Sequence, residues 1–362
     1  MPFPVSFRAL TLVAAVVSLA GCSGASRGFA VPGVGADRAR SSRTLSARPL
    51  DVGRGVPFVG KPGTLSALAP VLPAARRQNS VQPIGPKKSA TWKASVFVSD
   101  YGGASSTGAV YQFAPNKTGK VLGTIKDVVN PQGMDMDSKG DLWVASTGSY
   151  QVNEYTPGTY TASTVLSDPN EFPVSVAVCP NGTVYVMNAY NVSFGPGDIE
   201  IYAAGATSPS GTISDANIYV PYFAACDANN VLWFDYANFN FYTAVASYDG
   251  STVTEYGTLN IGFPGGIRVG KNGTTLGIDD QYEGVELFTK SDVSAGPYFT
   301  LPVSDVPVSF SFNKKQTDVW VADYGQTDAL EYVLKTSKEA VAVGAKTLQA
   351  PTDALVYPPG NT

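Results

Sequence analysis

Histidine is absent from all 362 residues. That absence excludes a Ser-His-Asp triad, an imidazole general base, and zinc or iron held by histidine. Cysteine is nearly as scarce. The three are Cys22, Cys179 and Cys226, and none falls in the C-x-x-C spacing of a metal or redox motif. Charged side chains are only 15% of the chain, and neither a Walker loop nor a dinucleotide fingerprint occurs. The leading apolar run, Ala9 to Ala20, is too short to cross a bilayer as a mature helix.

What is present divides at about residue 95. Before it the net charge is +11, with Asp37 and Asp51 the only acids; after it the net charge is −15, giving −4 overall. All 19 tyrosines lie in the acidic part. A basic tail joined to an acidic folded body accounts for this, and a body at −15 argues against a nucleic-acid partner. Residues 22–90 hold eight Pro, nine Gly and two aromatics, Phe29 and Phe58. Such a segment buries too little apolar surface to offset its ordering entropy and is expected to be a disordered tether.

Leu19-Ala20-Gly21-Cys22, following the apolar run, resembles the lipobox of bacterial lipoproteins. The resemblance implies a signal peptide over residues 1–21 and lipid attachment at Cys22. The lipid bilayer is then a partner through the acylated cysteine, and several acyl chains hold such an anchor durably. The expected location is extracytoplasmic. Ser23 follows the cysteine where no acid marks inner-membrane retention, which favours the outer membrane in a two-membrane cell.

From residue 91 the chain repeats. Pro131, Pro173, Pro221, Pro264, Pro307 and Pro351 each open an apolar segment, at intervals of 42, 48, 43, 43 and 44 residues. A period near 43 predicts four-stranded propeller blades. Asp137–Gly140, Pro180–Gly182 and Lys271–Gly273 read as hairpin turns, Asn-Gly supplying positive φ. A large residue follows at a fixed place (Phe97, Trp143, Tyr185, Trp233, Trp320), with Gly277 in the fifth repeat; these are expected to be blade-to-blade core. Val96–Asp100 matches a second strand with no first strand before it, and Pro351–Tyr357 matches a first strand with no second after it. Pairing the two closes a six-bladed, all-β propeller over residues 91–362 and removes exposed sheet edges.

Pro131-x-Gly133-Met-Asp-Met-Asp-x-x-Gly140-Asp-Leu-Trp-Val-Ala-Ser146 and Asp318-Val-Trp-Val-Ala-Asp323-Tyr-Gly325 resemble NHL-type repeats. Propellers of the SMP-30/gluconolactonase and virginiamycin-B-lyase groups are similar in shape. The lyase resemblance implies a histidine metal site, which this chain lacks. The lactonase resemblance implies a glutamate on the opening strand, where this chain has Asp353. Neither activity carries over, because a fold does not fix a function.

The second strands end in Asp100, Ser146, Asn188, Tyr236, Asp280 and Asp323, and Tyr101, Tyr190, Phe239, Phe241, Tyr242, Tyr282 and Tyr324 stand in or beside the loops that follow. Tyr, Asn and Asp together suit recognition of a protein or glycan partner. The competing reading is that each Asp only satisfies loop N–H groups. Asp235, Asp279 and Asp280 with Asn188 offer hard oxygen ligands, but in no calcium-motif spacing. No cofactor and no catalytic residue is assigned, and a monomer that is not an enzyme is expected. The alternatives are a divalent-metal-dependent lactonase or hydrolase in the channel and a purely structural envelope lipoprotein. Cys179 and Cys226 occupy near-equivalent places in adjacent repeats, either as a cross-blade disulfide or as two buried thiols.

Overall fold

The computed structural model describes residues 92–359, apart from 103–106, 117, 169–170 and 304–305. The expected signal peptide, Cys22 and the expected tether lie outside the described residues.

Twenty-four strands form six antiparallel sheets of four. β1 (Ser95–Asp100), β2 (Ala109–Phe113) and β3 (Val121–Ile125) begin the first blade. β4 (Pro131–Met136), β5 (Leu142–Ser146), β6 (Gln151–Tyr155) and β7 (Thr164–Ser167) make the second. The third is β8 (Glu171–Val178), β9 (Val184–Asn191), β10 (Pro196–Tyr202) and β11 (Gly211–Ile213). The fourth is β12 (Val220–Cys226), β13 (Leu232–Ala237), β14 (Thr243–Tyr248) and β15 (Val253–Thr258). The fifth is β16 (Pro264–Val269), β17 (Thr275–Asp280), β18 (Gly284–Thr289) and β19 (Phe299–Leu301). The sixth is β20 (Pro307–Phe312), β21 (Asp318–Asp323), β22 (Asp328–Val333) and β23 (Lys338–Val343). Finally β24 (Pro351–Tyr357) returns to pair with β1, so the first blade is built from both ends of the domain. The first strands β24, β4, β8, β12, β16 and β20 each touch the next, and the ring closes.

Each repeat proline stands opposite the polar residue that ends its blade's second strand: Pro131 faces Ser146, Pro264 faces Asp280, Pro307 faces Asp323. Proline has no N–H to offer a ladder and is tolerated at the first residue of a strand. Just after it the register slips in every blade, leaving a β-bulge at one mouth of the channel. Bulges re-aim side chains and commonly sit beside functional surfaces.

The large residues of the second strands are buried between blades: Phe97 is fully covered and Trp320 is 1% exposed. Where the fifth repeat has Gly277, the ring of Phe310 from the sixth blade takes the space; a Cβ there would lie 2.6 Å from it. In the hairpins only the glycine takes positive φ, at 86° for Gly182 and 68° for Gly273. Asn181 and Asn272 act instead through their side chains, accepting the N–H groups of Thr183 and Thr274. A turn with one left-handed residue fits this better than the two-residue Asn-Gly turn expected from the sequence.

Candidate functional site

Four of the six polar strand ends do the same local job. Asp100 accepts the N–H groups of Gln349 and Ala350, at 3.2 and 2.6 Å. Ser146 accepts from Val129 at 2.8 Å, Asp280 from Gly262 at 3.1 Å and Asp323 from Val306 at 3.3 Å. Each side chain thus clasps the loop that leads into its own blade's first strand. Asp280 and Asp323 also hold the loops that follow them, through Tyr282 N–H and through Gly325 and Gln326 N–H. All four are buried. Polar loop backbone must find partners, and these side chains supply them, so the competing reading of the strand-end acids is the one this geometry favours. Asn188 differs, donating to Asp198 Oδ1 at 3.0 Å. Tyr236 differs too: burial first, then the neighbouring Glu255, pushes its hydroxyl pKa up.

The middle of the channel is filled. Arg268, on β16 and 1% exposed, reaches across to Asp353 on β24, with Nη2 3.1 Å from Oδ2. It also donates to the carbonyls of Met134 on β4 and Ile267. Asp353 accepts the hydroxyl of Ser309 on β20 at 2.6 Å and the N–H groups of Met134 and Ala354. Four blades therefore meet in one buried network. Asp135 adds a second tie by accepting the N–H of Val178 in the next blade; burial raises its pKa to about 6. Asp235 and Asp279, equivalent positions on β13 and β17, are fully covered. Burial pushes both carboxyls well above the usual range, and for Asp279 the neighbouring acids add to it. Asp235 accepts the N–H of Phe223 in the bulge, while neither oxygen of Asp279 has a hydrogen-bond donor.

The loop face carries aromatics. Tyr101 and Tyr236, expected there, are 6% and 2% exposed and belong to the core; burial alone lifts Tyr101 to about 12. Tyr282 at 43% and Phe239 at 54% do face solvent, and Tyr190 and Tyr324 are half-buried. Two groups of rings assemble on this face. Tyr219 packs against Tyr190, Phe239 and Phe241 with centroids 6.3, 4.7 and 5.5 Å away. Phe172 packs against Tyr150 and Phe194 at 5.1 and 5.8 Å. Tyr150, Phe172, Phe194 and Tyr219 are not among the residues expected from sequence. Phe172 lies at the start of β8 and Tyr219 just before β12, at the end where the loops after second strands also open.

The opposite face holds different features. Cys179 and Cys226, at the ends of β8 and β12, form a disulfide with Cα atoms 5.0 Å apart. Beside it lies a cleft of about 460 Å³ lined by Asn181, Tyr185, Asn230 and Tyr248 among others. In the second blade, Asp137, Asp141 and Glu154 bring carboxylate oxygens within 4.8 Å of one another. Burial, then Asp137 and Glu154, raises Asp141 to about 6, while Lys139 opposes that shift. Among the described residues Asp100, Asp280 and Asp323 form no such group, each being engaged by its own loops.

The chain matches no protein-family model and no curated protein. Among solved structures, a chain of the nidogen/laminin complex is similar over 73% of this chain and 98% of its own, with TM-score 0.58 and 13% identity. The Kuenenia stuttgartiensis hydrazine synthase is also similar, over 63% of this chain and 71% of its own, with TM-score 0.48 and 14% identity. At such identity the nidogen/laminin likeness speaks for the propeller fold alone.

Proposed function

We propose that the chain is an extracytoplasmic binding or scaffold propeller, tethered to a membrane through an acylated Cys22, that takes a protein or glycan partner on its loop face. The observation that carries the reading is the pair of ring groups around Tyr219 and Phe172, continued by exposed Phe239 and Tyr282. Amphipathic rings on a rigid scaffold give contact area at small entropic cost. The disulfide supports export, since such bonds persist in oxidising compartments. A lactonase of the resembled type would work in the channel. There the buried Arg268–Asp353 network occupies the middle of the ring, so the binding reading is preferred to the enzymatic one.

The test is photo-crosslinking in cells with benzoylphenylalanine placed at Phe239 or Tyr282, and at Tyr298 as a control, which is 59% exposed and bonded to Thr275 near the hairpin face. The loop-face positions should give one discrete adduct that Tyr298 does not. Adducts independent of position, or none from either loop site together with no binding on a glycan array, would overturn the reading. Replacing Cys22 by Ala should move the protein from the detergent phase to the aqueous phase.

A further inference from the structure

On the hairpin face of the second blade three carboxylates converge. Asp137 opens the turn between β4 and β5, Asp141 closes it, and Glu154 stands on β6 opposite Trp143. Their oxygens all lie within 4.8 Å of one another. The turn is closely held. Asp137 Oδ1 accepts the N–H groups of Lys139 and Asp141, at 2.8 and 2.9 Å. Gly140 takes φ of 85°, and its carbonyl accepts the Trp92 indole N–H at 2.9 Å.

These bonds account for Asp137 but not for Asp141. Asp141 is 7% exposed, and among the described residues no donor reaches its carboxylate. Buried polar groups are normally paired, and each exception needs an explanation. A counter-charge is missing as well. Lys139 is exposed and forms no ion pair with the three acids. Glu154 has only the Ser163 hydroxyl, 3.4 Å from Oε2.

The fourth blade repeats this turn with a cation in it. Asp227 Oδ1 accepts the N–H groups of Asn229 and Val231, at 2.8 and 3.0 Å. Its Oδ2 holds the Lys290 ammonium at 2.6 Å, supplied by the fifth blade. Val231 there takes the place of Asp141, and Ser247, opposite Trp233, takes the place of Glu154. The second blade has the reverse arrangement. Ile201 opposes Tyr185 as Leu287 opposes Gly277, so the place of Lys290 falls to Ala204 in the third blade. The neighbour's cation is gone, and two acids stand where the fourth blade has none.

We propose that this turn is a calcium site, with Asp137, Asp141 and Glu154 as carboxylate ligands and water completing the shell. Calcium holds oxygens at about 2.3–2.6 Å, so ligands on opposite sides of one ion are about 5 Å apart. The three carboxylates fit within that span. Calcium accepts adaptable geometry, whereas magnesium demands a near-ideal octahedron. With neither thiolate nor imidazole at hand, the site does not favour zinc. An ion there would tie β6 to the turn that Trp92 grips.

The experiment uses the full chain in detergent, stripped with EDTA at neutral pH and titrated with calcium chloride by calorimetry and thermal melting. Extracellular calcium modules bind at about 10⁻⁴ to 10⁻³ M, which sets the upper concentration at about 10 mM. One ion should bind and raise the melting temperature by roughly 2–5 °C at saturation. Asp141→Asn with Glu154→Gln should abolish both the heat and the shift. Glu154→Lys, which supplies an ammonium as the fourth blade does, should melt no lower than the stripped wild type and ignore calcium. Asp168→Asn with Glu171→Gln, acids outside the turn, should keep the shift. A stripped wild type indifferent to calcium overturns the proposal, as does an equal response to magnesium. So does a shift that survives Asp141→Asn with Glu154→Gln, or one that is lost with Asp168→Asn and Glu171→Gln.

Discussion

At the scale of single residues, a polar side chain ending a buried strand has two physical reasons to be there, and only geometry separates them. Asp100, Ser146, Asp280 and Asp323 are positioned by the repeat to meet the loop entering their own blade, and their oxygens are engaged by backbone N–H groups. The repeat pattern locates these residues but does not distinguish a clasp from a ligand. Arg268 is the reverse case. Gly265-Gly266-Ile267-Arg268-Val269 places one cation in a strand that the pattern marks as buried, and a buried guanidinium needs an acid. Its partner Asp353 is 85 residues away in the chain, on another blade, which no local pattern reveals. Removing one member of a buried pair leaves the other charge uncompensated, at a cost of about 3–5 kcal/mol. Arg268→Met should therefore lower the denaturant midpoint without changing the slope. A midpoint within error of the wild type would show that the Ser309 and backbone donors alone hold Asp353.

At the scale of elements, the period near 43 residues and its two incomplete ends were enough to place every blade and the closing pair. The reason is physical: each repeat faces the same neighbours, so each must solve the same packing problem with the same residue types. Val96 does pair with Val356 and Phe97 with Leu355, as the half-repeats require. Pairings between blades were less legible. Cys179, just after β8, and Cys226, which ends β12, stand at matched places, which fits either bonded or free thiols on sequence grounds, and the structure bonds them. With the two cysteines 47 positions apart in the chain, the crosslink restricts the unfolded chain by up to about 4 kcal/mol in the loop-entropy model. Cys179→Ser with Cys226→Ser should thus melt several degrees lower and lose any response to reductant. Equal melting with and without the bond would mean that packing of β8 against β12 already fixes that seam. The aromatic rows were half legible for a related reason. Phe239 and Tyr282 lie in the loops after second strands, whereas Phe172 and Tyr219 precede their prolines and join the face only once the ring is closed.

For the whole molecule, the −15 body is held in a shape that covers many of its acids, and this sets how stability responds to pH. Burial is the leading cause of each upward shift: Asp135 and Asp328 go to about 6, Asp168 to about 7, Glu171 and Glu286 to about 8. In the unfolded chain the same groups titrate near 4. Between about pH 4 and pH 8 the folded state therefore binds more protons than the unfolded one, and stability must fall as pH rises through that window. Asp227 runs the other way. Burial would raise it, but the Lys290 ammonium at 2.6 Å and backbone donors outweigh that and hold it low, so its contribution is lost only in acid. The two trends place maximum stability near pH 4, with a steady decline toward pH 8 at fixed ionic strength. Thermal melts at half-unit steps from pH 4 to 8 measure the decline. A melting temperature that rises toward pH 8 would mean that the covered acids are compensated by groups other than protons.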